Sequence, residues 1–182
     1  MRLRFAVFWV GIDGISSADP TVEQDGTLVE CEDDFAIYAD WWETYPGNSV
    51  QVVNEISPGD HISASVRYRD GDYHMSVTDS TDSAASFSVS EPCGASTCED
   101  MSAEWIAEAP CCMGSTVYNL ANFGTWRTRT DKTVYDGTSG SITVAPTTDE
   151  ITMVDPKGDI KAEPGALDPA GNSFAVKWKR AS

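Results

Sequence analysis

The chain has 182 residues, enough for one domain with a substantial core, and it contains no apolar run of the about 20 residues that would span a membrane. Twelve Lys and Arg against 29 Asp and Glu give a net charge of −17, which excludes the basic surface that DNA or RNA would need. Three explanations of this acidity stay open: activity in acid, adaptation to salt, and solubility alone.

The first segment, "MRLRFAVFWVGIDG" at residues 1–14, joins two arginines to a short apolar run that leads directly into Gly-Ile-Asp-Gly. It lacks the apolar length and the small-residue cleavage site of a signal peptide. We therefore interpret it as a strand.

The clearest β pattern lies at residues 60–79. Apolar and polar side chains alternate from Ile62 to Tyr68, Asp70-Gly71 is typical of a two-residue hairpin turn, and the alternation resumes at Tyr73. Further strands are predicted at residues 5–12, 35–43, 50–56, 86–90, 103–107, 124–130, 141–144, 151–154 and 173–179.

No window of the sequence predicts an amphipathic helix, and residues 157–172 are typical of a loop. Many short strands separated by turn residues favour two packed antiparallel sheets. We therefore predict an all-β protein, an antiparallel β-sandwich that forms one domain over residues 1–182.

The five cysteines are an odd number, so at least one thiol has no partner within the chain. Cys93 and Cys98 flank four residues and could close a disulfide loop, a question that geometry decides. Neither a Cys-x-x-Cys pair nor a His pair at ligand spacing occurs, so no metal site is predicted. The cysteines are Cys31, Cys93, Cys98, Cys111 and Cys112.

Two glutamates, Glu104 and Glu108, lie four residues apart in "SAEWIAEAP", residues 102–110. On a strand they share one face but are separated by about 13 Å. That distance is too long for two carboxyls to share a proton or to flank one bond. Either both glutamates face solvent, or one of them works with a partner from another strand.

Six segments of the chain resemble segments of the glutamic peptidases, or eqolisins, and they occur in the same order and at similar spacing as in that family. The segment "SFAVKW" at residues 173–178 is similar to the last strand of that family, so the resemblance runs from about residue 8 to residue 178. The six segments are "FWVGIDG" (8–14), "TVEQDG" (21–26), "YADWWETYP" (38–46), "ISPGDHISASV" (56–66), "SAEWIAEAP" (102–110) and "LANFGT" (120–125).

The resemblance implies a sandwich of two large antiparallel sheets, of the concanavalin-like or jelly-roll type, in an acid-acting endopeptidase without metal or cofactor. It implies that Glu108, the second glutamate of "AEWIAE", activates water, and that Gln24 of "TVEQDG" stabilises the tetrahedral oxyanion. By position in "YADWWETYP", it also implies that Trp41, Glu43 and Tyr45 bind substrate.

The remaining expectations are less direct. Asp13, between two glycines, is typical of a turn and is a candidate for supporting the site residues without touching substrate. By resemblance the substrates are proteins or peptides and the enzyme is secreted. We further expect a monomer, with no nucleic-acid partner and no membrane contact.

The chain also departs from the family pattern. Members normally carry additional N-terminal strands, including an Asn-Trp-(Ala/Gly)-Gly segment, whereas Met1 lies only eight residues before Trp9. We therefore expect a sandwich without those strands. Two alternatives to an active peptidase follow: a catalytically inactive sandwich that binds carbohydrate or peptide through Trp41 and Trp42, and a truncated fragment of a longer peptidase.

Overall fold

The computed structural model describes residues 3–15, 21–33, 35–93, 99–111 and 117–182. These residues form β-strands and two 3-10 turns, and they include no helix that is long and apolar enough to cross a membrane. The chain divides into two compact units, residues 1–106 and residues 107–182. The single domain over residues 1–182 stays a prediction.

The first unit contains seven complete strands and most of an eighth, with a 3-10 turn, Ser83–Ala85, before the seventh. The strands are β1 (Leu3–Asp13), β2 (Val22–Glu32), β3 (Phe35–Tyr45), β4 (Asn48–Glu55), β5 (Ile62–Arg69), β6 (Asp72–Asp79), β7 (Phe87–Pro92) and β8 (Ala103–Glu108).

Two sheets of this unit pack against each other. One has the strand order β4-β3-β2-β1-β8 and the other the order β5-β6-β7. Strands β1 to β4 pair antiparallel, and so do β5 to β7. Because β1, β2 and β3 contact β5 and β6, the two sheets form the layers of the predicted sandwich.

The predicted hairpin at residues 60–79 is present. Asp70 and Gly71 have φ values of +59° and +96°, as a type I′ turn requires at its two central residues. The rings of Tyr68 and Tyr73 lie across the strand pair with centroids 4.8 Å apart. Tyr73 and Met75 are fully buried, so the apolar face found from the alternation is the face that forms the core.

Strand β2 was not among the predicted strands, because its sequence begins with a polar run that contains Asp25-Gly26, a turn signal. Instead, both residues lie inside the strand, between β1 and β3. A Cβ on Gly26 would lie 2.0 Å from the Phe8 carbonyl oxygen. Glycine is required here for a close approach of two backbones, not for a turn.

The second unit is built from short strands, with a sheet of order β10-β15-β14-β13 and a separate β11-β12 hairpin. The strands are β9 (Asn119–Leu120), β10 (Thr125–Arg127), β11 (Thr133–Tyr135), β12 (Thr138–Gly140), β13 (Met153–Val154), β14 (Ile160–Pro164) and β15 (Ala175–Trp178).

Two predictions for this unit were wrong. The strand expected at residues 141–144 is a 3-10 turn, Ile142–Val144, which closes when the Val144 N–H donates to the Ser141 carbonyl at 3.0 Å. The expected loop at residues 157–172 contains β14, a central strand whose Lys161 and Ala162 are buried. At β14 the pairing with β13 and β15 outweighs the local preference for a loop.

Candidate active site

The strand register places three predicted site residues, Gln24, Trp41 and Glu43, together with Trp9 on one face of the sheet that contains β1, β2 and β3. Gly11, Gln24 and Glu43 lie opposite one another on β1, β2 and β3, and Trp9 and Trp41 flank Gly26 two positions along. We call this the outer face, because the alternate residues of β2 point towards the β5-β6-β7 sheet. The outer face is defined by Trp9, Gln24, Trp41 and Glu43.

Gln24 and Glu43 are in direct contact. Gln24 is 7% exposed, and its Nε2 donates to Glu43 Oε2 at 2.7 Å. Burial raises the pKa of the Glu43 carboxyl, and the hydrogen bonds from Gln24 and from the Val50 backbone lower it by less. Gln24 Oε1 is buried and accepts no hydrogen bond from any described residue. The structure thus joins one predicted catalytic residue to one predicted substrate-binding residue.

The tryptophans of the outer face form a small core. Val7, Trp9 and Trp41 are buried together, and Val22, Leu28 and Ile106 pack against them. Trp41 is only 3% exposed, so it offers no open ring face on which a sugar could stack. Its indole Nε1 is buried and has no acceptor among the described residues. Tyr45, at the end of β3, is 55% exposed.

Asp13 ends β1 and is fully buried. Its two carboxylate oxygens accept hydrogen bonds from the backbone N–H groups of Asp100 (3.0 Å) and Met101 (2.6 Å), and its own N–H donates to the Ser102 carbonyl. Asp13 therefore fixes the segment that leads into β8. This contact fits the expected supporting role, which stays a prediction.

The two glutamates of "SAEWIAEAP" lie on β8, as the distance argument assumed. Both glutamates are half-buried, and the Ser102 hydroxyl donates to Glu104 Oε1 at 3.2 Å. Glu108 belongs to the second compact unit and Gln24 to the first. The catalytic pairing of these two residues stays a prediction.

Sequence analysis missed a set of buried acids on the opposite face of the same sheet. Asp25 and Asp40 are fully buried. Burial raises the pKa of Asp25 well above its usual range, while the backbone of Ser76 and Ser65 lowers it by less and the charge of Asp40 raises it further. Burial also raises the pKa of Asp40. No signal in the sequence distinguishes these acids, because aspartates are usually exposed.

In the described part of the chain, no three His, Cys, Asp or Glu side chains are grouped as metal ligands. Of the cysteines, Cys93 is disulfide-bonded and Cys31 is free. The expected partner of Cys93, Cys98, lies outside the described residues.

The comparisons with known proteins agree with the fold and the motifs. The profile of the Peptidase A4 family matches residues 2–163, so the chain belongs to this family of glutamic peptidases, or eqolisins. It is accordingly a glutamic-type endopeptidase, a hydrolase that acts on proteins or peptides.

A solved structure, that of aspergilloglutamic peptidase from Aspergillus niger, is similar to this chain with a TM-score of 0.77 and 24% sequence identity. The similarity covers 97% of this chain and 99% of that chain, and it confirms the β-sandwich fold. No curated protein matches the chain.

Proposed function

We propose that the protein is an acid-acting endopeptidase in which Glu108 and Gln24 form the catalytic pair. The observation that carries this proposal is the state of Gln24, a buried amide on the outer face that is held by Glu43 in a chain of the Peptidase A4 family. A buried amide is suited to stabilising a developing oxyanion, because its hydrogen bonds are stronger where water is excluded and its NH2 group does not titrate.

In the proposed reaction the Glu108 carboxylate takes a proton from water, and the water oxygen attacks the carbonyl carbon of the peptide bond. The carbonyl oxygen becomes an oxyanion, which the Gln24 NH2 group stabilises by hydrogen bonding. Protonated Glu108 then donates its proton to the leaving nitrogen, and the C–N bond breaks. No step needs a neutral imidazole, which would be protonated in acid.

Two further observations support work in acid and outside the cell. The raised pKa values of Glu43, Asp25 and Asp40 mean that these buried groups are most easily accommodated as neutral acids. The disulfide of Cys93 fits an oxidising compartment, so we propose secretion. Detection of the mature protein in culture medium, with Cys93 resistant to alkylation before reduction, tests this part.

The catalytic pair is tested by digestion of a protein substrate between pH 2 and pH 7. We expect Glu108→Gln to lose about 10² to 10⁴ in rate and Gln24→Ala about 10² to 10³. Glu104→Gln is the matched control, because it removes the same charge from the same face of β8 and should cleave like the wild type.

Circular dichroism on each variant separates loss of chemistry from loss of fold. Cleavage by folded Glu108→Gln at the wild-type rate would rule out the proposed base. An equal loss in Glu104→Gln would show that the effect belongs to the charge of β8 as a whole.

A further inference from the structure

The contact between Gln24 and Glu43 uses only one of the two polar atoms of the Gln24 amide. Gln24 Nε2 donates to Glu43 Oε2 at 2.7 Å, while the buried Oε1 of the same amide receives no hydrogen bond from the described residues. An ionised carboxylate can only accept hydrogen bonds, so this orientation of the amide is the one that suits ionised Glu43. A buried acceptor without a donor costs free energy. This cost favours the other orientation of the amide, in which Oε1 and Nε2 exchange places, whenever Glu43 can donate a hydrogen bond.

The ionised form of Glu43 is a poor neighbour for the proposed chemistry, on which this inference rests. A carboxylate within hydrogen-bonding distance of Nε2 places a negative charge beside the position where the oxyanion would form. Like charges repel strongly where water is excluded. One of the two Nε2 hydrogens is also occupied by Glu43.

A protonated Glu43 removes these problems together. Its O–H can donate to Gln24 Oε1 once the amide turns by 180° about its last side-chain bond. Oε1 then accepts from Glu43 and the negative charge is gone. Nε2 takes the buried position that Oε1 leaves, so both of its hydrogens point away from Glu43 and are left to stabilise an oxyanion. We propose that Glu43 is a positioning residue, which turns the Gln24 amide into its competent orientation by holding a proton.

The surroundings of Glu43 favour that protonated form. Burial raises the pKa of its carboxyl, and the groups that face it from the adjacent strands are the Gln24 amide of β2 and the Val50 backbone of β4, neither of which titrates. Strands β2, β3 and β4 contain no lysine or arginine that could pair with a carboxylate. The acids nearest to Gln24 in β2, Glu23 and Asp25, alternate to the opposite face.

Other titratable groups also lie on this side of the sheet, among them Glu30 of β2 and Glu104 of β8, which is in phase with Ile106. Tyr45, two residues along β3, is mostly exposed. Asp13, at the end of β1, uses both carboxylate oxygens for the backbone N–H groups of Asp100 and Met101. Glu43 is the titratable group that is hydrogen-bonded to Gln24.

The experiment is a pH titration of the Gln24 side-chain NH2 resonance, identified by its loss in Gln24→Ala. In the wild type we expect this resonance to shift with one midpoint, shared with the ¹³C-labelled carboxyl of Glu43. In Glu43→Gln the shift should vanish, since a glutamine at this position stays neutral. Glu55→Gln, which removes an exposed carboxyl from β4, is the control and should leave the titration unchanged.

Kinetics provide a second readout. The alkaline limb of kcat/KM should coincide with the shared midpoint and move to higher pH in Glu43→Gln. For each protein, kcat/KM is divided by its maximum value in acid. At one pH unit above the midpoint of the wild-type alkaline limb, this ratio should be about tenfold higher in Glu43→Gln than in the wild type. A merely structural role would lower activity at all pH values and leave the limb in place. Only pH values at which circular dichroism shows a folded protein are compared.

The outcomes separate the two proposals. Different midpoints for Gln24 and Glu43 in the wild type, or an unchanged titration of Gln24 in Glu43→Gln, would overturn the positioning role even if cleavage depends on Glu108. Conversely, full activity of Gln24→Ala would refute the catalytic pair, while the wild-type titration would still decide whether Glu43 turns the amide. The wild-type titration also decides the matter if Glu43→Gln fails to fold.

Discussion

Asp13 has the left-handed backbone conformation, with a φ of +68°, at the point where β1 ends. Its carboxylate binds two consecutive backbone N–H groups just before β8, the strand that carries Glu108. A side chain outside the proposed chemistry is therefore hydrogen-bonded to the segment that precedes β8. The role resembles that of an aspartate at the start of a helix, since it satisfies donors that have no strand partner.

We predict that Asp13→Ala lowers the free energy of unfolding by about 2 kcal/mol or more, because two backbone N–H groups lose the acceptor that the buried Asp13 carboxylate supplies. Asp13→Asn keeps one acceptor oxygen and tolerates a positive φ, so it should lose roughly half as much. Urea unfolding at a fixed pH measures both variants. Equal stability of the two would show that the side-chain oxygens do not hold the segment before β8.

Gln24 illustrates how little one residue reveals by itself. A glutamine next to Asp-Gly is most often a loop amide, and only the order of the surrounding motifs made it a catalytic candidate. The structure adds the buried contact with Glu43. The sequence could not show this contact, because the two residues are 19 positions apart in the chain and meet only through the pairing of β2 with β3. The function of Glu43 as a positioning residue thus depends on register, not on its own motif.

At the scale of elements, β2 is the strand that organises the first unit. It lies between β1 and β3, presents Gln24 on the outer face, and turns Asp25 towards the facing sheet. The polar sequence of β2 does not indicate that it lies between two other strands, because a central strand is expected to be mainly apolar. Gly26 is the residue that makes the position possible, since the Phe8 backbone passes directly over it.

We predict that Gly26→Ala lowers the free energy of unfolding by about 3 kcal/mol or more, because the added methyl would overlap the Phe8 carbonyl oxygen. Gly165→Ala is the matched control: its Cβ would meet the Ala175 carbonyl at an ordinary 3.6 Å, so it should change stability by no more than about 0.5 kcal/mol. Thermal or urea unfolding compares them. A Gly26→Ala protein as stable as the control would contradict the close approach.

The local sequence pattern predicts the hairpin β5-β6 correctly, but it does not predict the strand β2. Asp70-Gly71 specifies its own turn, and strict alternation specifies which face is buried. In contrast, the turn signal of Asp25-Gly26 is overridden by pairing on both sides. Residues 141–144 fail in the opposite sense: they are rich in β-branched residues, yet they close a 3-10 turn.

At the scale of the whole molecule, the acidic composition continues into the interior of the first unit. Asp25 and Asp40 are buried between the sheets with raised pKa values. The folded chain therefore holds protons that the unfolded chain releases above the ordinary aspartate pKa of about 3.9. Stability from these groups is complete below that pH and is lost as the pH rises through the raised values.

Other carboxyls act in the opposite direction. The backbone N–H groups of Asp159 and Lys157 donate to Asp155 and hold its pKa below the usual range. The pKa of Asp168 is lowered in the same way, mainly by the backbone N–H of Asn172. Their contribution is present above the ordinary pKa and is lost as the pH falls through the lowered values. Together the two sets predict maximum stability in mild acid, with a decline towards neutral pH.

We predict that Asp25→Asn, which resembles the protonated acid, raises the urea midpoint at pH 7 and changes it little at pH 4, because it removes a charge that burial disfavours. Asp155→Asn is the control of opposite sign and should lower the midpoint at pH 7, since the exposed carboxylate there accepts two backbone hydrogen bonds. Unfolding curves from pH 3 to pH 7 measure both. A wild-type stability that rises steadily to pH 7 would sink this explanation of the acidic interior.

The sequence by itself determined the family, the all-β class and the candidates Gln24 and Glu108, because these depend on motif order and on the two-residue period of strands. It also excluded an acid pair within "SAEWIAEAP", since the rise per residue of a strand is fixed. Only the tertiary structure decided that β2 is central, that Gln24 contacts Glu43 and that Asp25 is buried. Those facts depend on the register between distant strands, which sets burial and hence pKa, and no local pattern encodes it.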